Sequence, residues 1–168
     1  MSNCNTRQSP IEYRFIPSLD MSPTEPDDIA FMKTVPYSNA VGTLMYLAIT
    51  CRPDISYAVS VFSRYNANPG RKHWEGVKDI FRYLKGTRLL GITYGGNDIV
   101  ECDRNILISY SDSDWAGCPD SRKSVSGYCV MLNGGPVQWQ AKAQTIIAIS
   151  STELNILLLR LFVMNLHG

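Results

Sequence analysis

The sequence predicts an α/β chain in an α+β arrangement: a helical layer, then an antiparallel meander, then a closing C-terminal helix. Three observations carry this. Val41, Leu44, Met45 and Ala48 fall at i, i+3, i+4 and i+7, a helical stripe that two later segments repeat. Beyond Gly86 the apolar period drops toward two, and Gly-Gly-Asn-Asp and Asn-Gly-Gly strings separate short β-rich runs. The 168 residues, 45% hydrophobic and 18% charged, suffice for a globular domain with its own core.

The elements follow in order. Residues 1–36 carry Pro10, Pro17, Pro23, Pro26 and Pro36 with little periodicity, so an extended, poorly packed arm is expected there. Residues 37–87 read as a helical segment. Its first stripe ends before Arg52-Pro53-Asp54, where Pro53 suits the first turn of a new helix because its missing N–H is not needed there. Ile55, Ala58, Val59 and Phe62 make the second stripe, and the Asn-Ala-Asn-Pro-Gly string ending at Gly70 stops it. Trp74, Val77, Phe81 and Leu84 mark a third helix that Gly86 is expected to cap. In residues 88–168 strands are expected over Leu89–Tyr94, Ile106–Ser111, Gly127–Leu132 and Val137–Gln140. The string Ser150-Ser151-Thr152-Glu153 then opens a final helix, with a hydroxyl to cap and an acid at the positive end.

Composition excludes several classes. Sixteen Lys+Arg against fifteen Asp+Glu leave a net charge of +1, so no global field draws the chain onto phosphate backbones or anionic lipid. Five scattered cysteines without a C-x-x-C pair, and only two histidines, argue against zinc and against a disulfide framework. Charged residues interrupt every apolar run in the first thirty positions, so no secretory leader is visible and an intracellular chain is expected from sequence alone. The most apolar stretch, Leu154 to Leu166, contains Asn155, Arg160 and Asn165 and is too short to span a bilayer.

Asp112 is the sharpest candidate for chemistry. In Ser111-Asp112-Ser113-Asp114-Trp115 it follows an apolar run, and a carboxylate at a strand end suits Mg²⁺, which takes few protein oxygens and keeps waters for substrate. A turn-forming Asx residue explains the same pattern without chemistry, and composition alone favours that explanation. Lys72, His73 and Trp74 with Lys78, Arg82 and Lys85 could form a basic stripe, although a solvated helix face is commoner. Trp115, Tyr128 and Trp139 could stack on bases, but in a sheet they are more often core. Neither His73 nor His167 shows a partner for nucleophilic catalysis, Ser150 to Glu153 is explained as a helix start, and Gly95-Gly96 reads as a turn.

Two strings are more specific: VPYSNAVGTLMYLAITCRPDISYAVSVFSRYNANPGRKHWEGVKDIFRYLKGT from Val35 and YSDSDWAGCPDSRKSVSGYCVMLNGG from Tyr110. They closely resemble the polyprotein of copia-type retrotransposons, over about residues 35 to 153. The resemblance implies the end of a reverse transcriptase leading into an incomplete RNase H-like domain, an α/β fold whose acids hold Mg²⁺ ions that cleave RNA in a hybrid. It places Asp112 at the first metal-binding aspartate and Asn155 where the family has glutamate, with the remaining metal-binding positions expected beyond Gly168. Asp114 would share an ion at most weakly. No cofactor and no RNase H activity are therefore expected, since one carboxylate cannot hold two mutually repelling divalent ions. An incomplete sheet also implies an exposed edge and self-association.

A second resemblance, to secreted RxLR effectors of downy-mildew oomycetes, implies a non-enzymatic protein delivered into the host cell that binds host proteins and modulates plant cell death or defence. The nearest strings to that motif are Arg82-Tyr83-Leu84-Lys85 and Arg88-Leu89-Leu90-Gly91, both far from the N-terminus, and the first is ordinary copia sequence. The alternative is a decayed copia fragment with no role beyond weak nucleic-acid binding.

Overall fold

Helical periodicity becomes packing between residues 26 and 86 of the computed structural model, which describes residues 4–13, 15–95, 106–113, 118–121 and 123–144. The chain divides into two compact units, residues 1–90 and 91–168. The first holds four helices: α1 (Pro26–Thr34), α2 (Tyr37–Thr50), α3 (Ser56–Ser63) and α4 (Arg71–Gly86). Single 3₁₀ turns lie at Leu19–Met21 and Pro53–Ile55.

The expected stripes of α2 and α3 are buried, whereas on α4 the buried face is His73, Val77, Ile80 and Tyr83, and Trp74, Phe81 and Leu84 of the expected stripe are only partly buried at its flank. Val41, Leu44 and Ala48 of α2 meet Ala58, Val59 and Phe62 of α3 and Val77, Ile80 and Tyr83 of α4 in one apolar cluster. Full burial of each Leu, Ile, Val or Phe contributes about 1.5–3 kcal/mol. α3 and α4 come close because Gly76 lies against the Phe62 ring, where a methyl group would overlap ring atoms. Tyr37 anchors the α2 side, its hydroxyl donating to the Phe62 carbonyl at 2.9 Å.

The described residues before Tyr37 do not form an extended, unpacked arm. Pro26 at the first helical position, Asp27 and Asp28 in the first turn and Lys33 in the last start and end α1 as the helix dipole favours. Met32 is buried in the core, Ile11 and Phe15 pack against it, and the Phe15 and Phe62 rings stack with centroids 6.3 Å apart. Gly86 also departs from expectation. It is the last residue of α4 and not a left-handed cap; Thr87 takes the cap position at φ −113°. Its missing side chain serves a close crossing, since a Cβ there would stand 3.1 Å from Cβ of Thr6, and the Arg7 N–H donates to the Arg82 carbonyl nearby.

The described part of the second unit is a three-stranded antiparallel sheet in the order β1 (Ile108–Ser113), β2 (Val125–Leu132), β3 (Gly135–Ala143). With the four helices it makes the α+β arrangement that the sequence predicts. Asn133 (φ 51°) and Gly134 (φ 76°) form the β2–β3 turn, and two consecutive left-handed residues are the backbone of a tight hairpin whose twist matches its strands. β1 begins and ends two residues later than expected, so Asp112 lies within the strand. Leu89–Tyr94 is not a strand: Leu89 is fully exposed, and Tyr94 is engaged through its ring against Gly135 and its hydroxyl on the Pro136 carbonyl at 2.8 Å. Its β-rich composition finds no ladder to join. The expected C-terminal helix and Ser150 to Glu153 lie outside the described residues.

The Gly76 contact generates a test. Gly76→Ala gains helix propensity, worth up to about 1 kcal/mol, but overpacks the Phe62 ring at a cost of about 1–3 kcal/mol. A net loss of stability is expected, read as a lower urea midpoint at unchanged m-value.

Candidate functional site

Register determines what surrounds Asp112. It pairs with Gly127 of β2, which pairs with Ala141 of β3. The next row on the same face is Tyr110, Cys129 and Trp139. Neither Gly127 nor Ala141 carries a side-chain oxygen, so the row holds one carboxylate. Among the described residues no three His, Cys, Asp or Glu side chains come together as a metal-binding group. The described surroundings of Asp112 therefore do not fit a pair of Mg²⁺ ions; Asp114 and Asn155 lie outside the described residues.

The aromatic candidates separate. Tyr128 pairs with Gln140 and is buried on the face opposite Trp139, so the two rings do not form one stacking platform. Burial pushes the Tyr128 phenol up, although Gln138 Nε2 donates to its oxygen at 3.3 Å and opposes the shift. Burial also pushes the Cys129 thiol up, which lowers its thiolate fraction. Cys4, Cys51, Cys118 and Cys129 are in no disulfide. Trp115 and His167 lie outside the described residues.

His73, the third residue of α4, is a structural ligand of backbone. It is fully buried and stacks on Tyr65 with ring centroids 4.1 Å apart. Its Nδ1 accepts the Gly70 N–H at 2.9 Å, so the ring proton sits on Nε2, 3.0 Å from the Ser18 carbonyl oxygen. The same stretch of chain grips residues 17–22 at further points: Tyr65 Oη donates to the Pro17 carbonyl at 2.6 Å, and Ser22 Oγ donates to the Asn68 carbonyl at 2.8 Å. Gly70 passes so close to Met21 that a side chain would overlap its carbonyl oxygen.

Two members of the basic stripe, Lys78 and Arg82, are paired with acids of the same helix. Arg82 pairs with Asp79 at 2.6 Å, Lys78 with Glu75, and Arg7 reaches Asp79 through both Nε and Nη2. The hollow of about 520 Å³ lined by Cys4, Asn5, Thr6, Arg7 and Arg82 thus has its two guanidiniums on one shared carboxylate. In Arg82-Tyr83-Leu84-Lys85, Tyr83 is buried, Leu84 packs on the core and Lys85 donates to the Cys4 carbonyl at 2.8 Å. Arg88, Leu89 and Leu90 are exposed just past α4.

Sequence reasoning missed one cluster. The Arg52 guanidinium grips Asp54 through Nε at 3.0 Å and Nη2 at 2.7 Å, and bonds Thr87 Oγ1 at 2.6 Å. Tyr83 Oη donates to Asp54 Oδ2 at 2.8 Å. Burial alone would raise the Asp54 carboxyl, but hydrogen bonds from Arg52 and Tyr83 outweigh it and hold it below the usual range. The only local trace is Arg-x-Asp; Tyr83 lies 29 positions beyond Asp54.

The helices and the sheet define an α+β protein whose distinctive polar residues, among those described, bond backbone and one another. Relatives give the family. The chain is 44% identical over 153 residues to the retrovirus-related Pol polyprotein from transposon TNT 1-94 of Nicotiana tabacum, covering 91% of this chain and 11% of that protein. It is 43% identical over 117 residues to the Pol polyprotein from transposon RE2 of Arabidopsis thaliana, covering 70% of this chain and 8% of that one. It is also 44% identical over 122 residues to the secreted RxLR effector protein 161 of Plasmopara viticola, covering 73% of this chain and 82% of the effector. No protein-family model matches the chain, and no solved structure matches it. The chain belongs to the copia-type, retrovirus-related Pol family, which includes that effector-named protein. It spans about a tenth of the length of the Pol polyproteins it matches.

Because Asp54 is held below its ordinary range, the stability it contributes is present above the ordinary carboxylate value and is lost as pH falls through the lowered one. The gap in urea midpoint between wild type and Asp54→Asn is therefore expected to be full at neutral pH and to close in acid. Arg52→Ala, which leaves Asp54 and Thr87 without their shared donor, is expected to cost about 1–3 kcal/mol in the same measurement at neutral pH.

Proposed function

We propose that this chain is a non-catalytic, transposon-derived, RNase H-like protein that acts by binding other proteins, as a secreted RxLR-type effector that modulates host plant cell death or defence. The observation that carries the first half is the row Asp112, Gly127, Ala141, which offers one carboxylate where a two-metal site needs several. Two divalent ions at the spacing of such sites, about 4 Å, repel strongly unless carboxylates on both sides neutralise them. Asn155, where the family has glutamate, brings a neutral amide. The similarity that extends over 82% of the effector-named protein supports the second half.

A decayed retroelement fragment with weak nucleic-acid affinity is the competing reading. The pairing of Arg82 and Lys78 with Asp79 and Glu75 weighs against it, since these two cations already face an anion and release fewer counterions on binding phosphate.

Two experiments test the proposal. The purified chain is expected to show no Mg²⁺-dependent cleavage of an RNA–DNA hybrid, and Asp112→Ala no change; turnover that Asp112→Ala abolishes would overturn the non-catalytic half. Transient expression in leaves with a cell-death elicitor is expected to shift ion leakage severalfold against an unrelated protein of equal abundance, and an unchanged response would remove the effector half.

A further inference from the structure

The two outer strands of the sheet are built differently. β3 carries the residues that blunt an edge: Pro136, which has no N–H to donate, and an exposed Lys142. β1 carries neither. Residues 106–112 are all exposed, Ile106 at 49%, Leu107 at 57%, Ile108 at 42% and Tyr110 at 61%. No charge, proline or glycine interrupts the run from Ile106 to Ser111. Among the described residues β1 has a strand neighbour on one side only. In an antiparallel ladder alternate residues point their N–H and C=O away from the partner strand, so β1 turns a row of such groups outward.

We propose that β1 is a strand-addition edge at which a second copy of this chain pairs, antiparallel and two-fold symmetric, centred on Ser109. Residue 109 is the midpoint of the exposed stretch 106–112, so this register uses all of it. Ser109 then meets Ser109, Ile108 meets Tyr110 in both directions, and Leu107 meets Ser111. Aromatic against β-branched is a favourable cross-strand pair, and here it occurs twice by symmetry. Asp112 of each copy falls opposite Ile106 of the other. The two carboxylates stand six residues apart along the ladder, about 20 Å, which is beyond the roughly 8 Å screening length at physiological salt. Main-chain hydrogen bonds supply the affinity. The two-fold joins both β1 edges and leaves Pro136 and Lys142 on the outermost of the described strands, which disfavours growth beyond two copies.

Sedimentation velocity on the full chain tests this. The wild type is expected to sediment with the mass of two chains. Ser109→Lys and Ser109→Glu, each placing like charges at the symmetry axis, are expected to sediment as one chain, and an equimolar mixture of the two variants as two. A wild type that stays a single chain across the accessible concentration range, a Ser109→Lys that keeps the mass of two, or a mixture that stays single would each overturn the proposal. Circular dichroism melts confirm that the variants fold. Should they not, Ser109→Cys is expected to form a disulfide-linked pair under mild oxidation faster than the exposed Ser38→Cys, because opposed antiparallel residues lie about 4.5–5.5 Å apart at Cα, within disulfide reach. Equal rates would also overturn it.

Discussion

A buried imidazole with both nitrogens committed to backbone is the constraint on which the helical unit depends. His73 has no exposed surface, and its two bonds join the start of α4 to residue 18, 55 positions earlier. Burying a polar group without partners costs several kcal/mol, so this ring is tolerated only where the Gly70 N–H and the Ser18 carbonyl are both in place. Tyr65 stacking, the Tyr65 bond to Pro17 and the bare backbone of Gly70 then become requirements of one packing arrangement. α1 depends on the same capture. It buries only Met32 of its own nine residues, and it is tied to α4 by the 2.6 Å Arg71–Asp28 ion pair and by Arg71 lying 3.9 Å over the Phe31 ring.

This constraint bears on function. Within Asn-Ala-Asn-Pro-Gly-Arg-Lys-His-Trp, among the most recognisable strings in the chain, Asn68, Gly70, Arg71 and His73 each make a structural contact with residues 18–31. In Arg-Tyr-Leu-Lys-Gly-Thr, all six positions bond or pack against other parts of the helical unit. Residues so engaged have little freedom to read a host receptor or a phosphate backbone. The described surface does expose apolar side chains, among them Leu107, Ile108 and Tyr110 at β1 and Leu89 and Leu90 just past α4.

Legibility followed the range of the interactions. α2, α3 and α4 were legible because a helical stripe is local, and Asn133-Gly134 marked the β2–β3 turn because only certain residues accept positive φ. α1 carried a Pro-Asp-Asp start but almost no stripe, and what holds it lies some forty residues further on. Leu89–Tyr94 shows the converse. Its β-rich composition was clear, but a strand exists only where a partner presents a ladder, and pairing is not local. Asp112 could be placed near a strand end, yet its surroundings depend on register, and Gly127 and Ala141 opposite it were invisible before pairing was known. The Arg52, Asp54, Tyr83 and Thr87 cluster was illegible for the same reason.

Native-state hydrogen exchange on the Gly70, Met21 and Ser22 amides tests the central constraint most directly, in wild type and in His73→Phe, which keeps the stacked ring but removes both bonds. The structure predicts that in wild type the Gly70 amide, bonded to the buried ring, and the Met21 and Ser22 amides, bonded to Ser18 and Leu19, exchange as slowly as the core of α4, and that all three lose protection together in the variant. Free exchange at Met21 and Ser22 in the wild type, or protection that His73→Phe leaves intact, would contradict it.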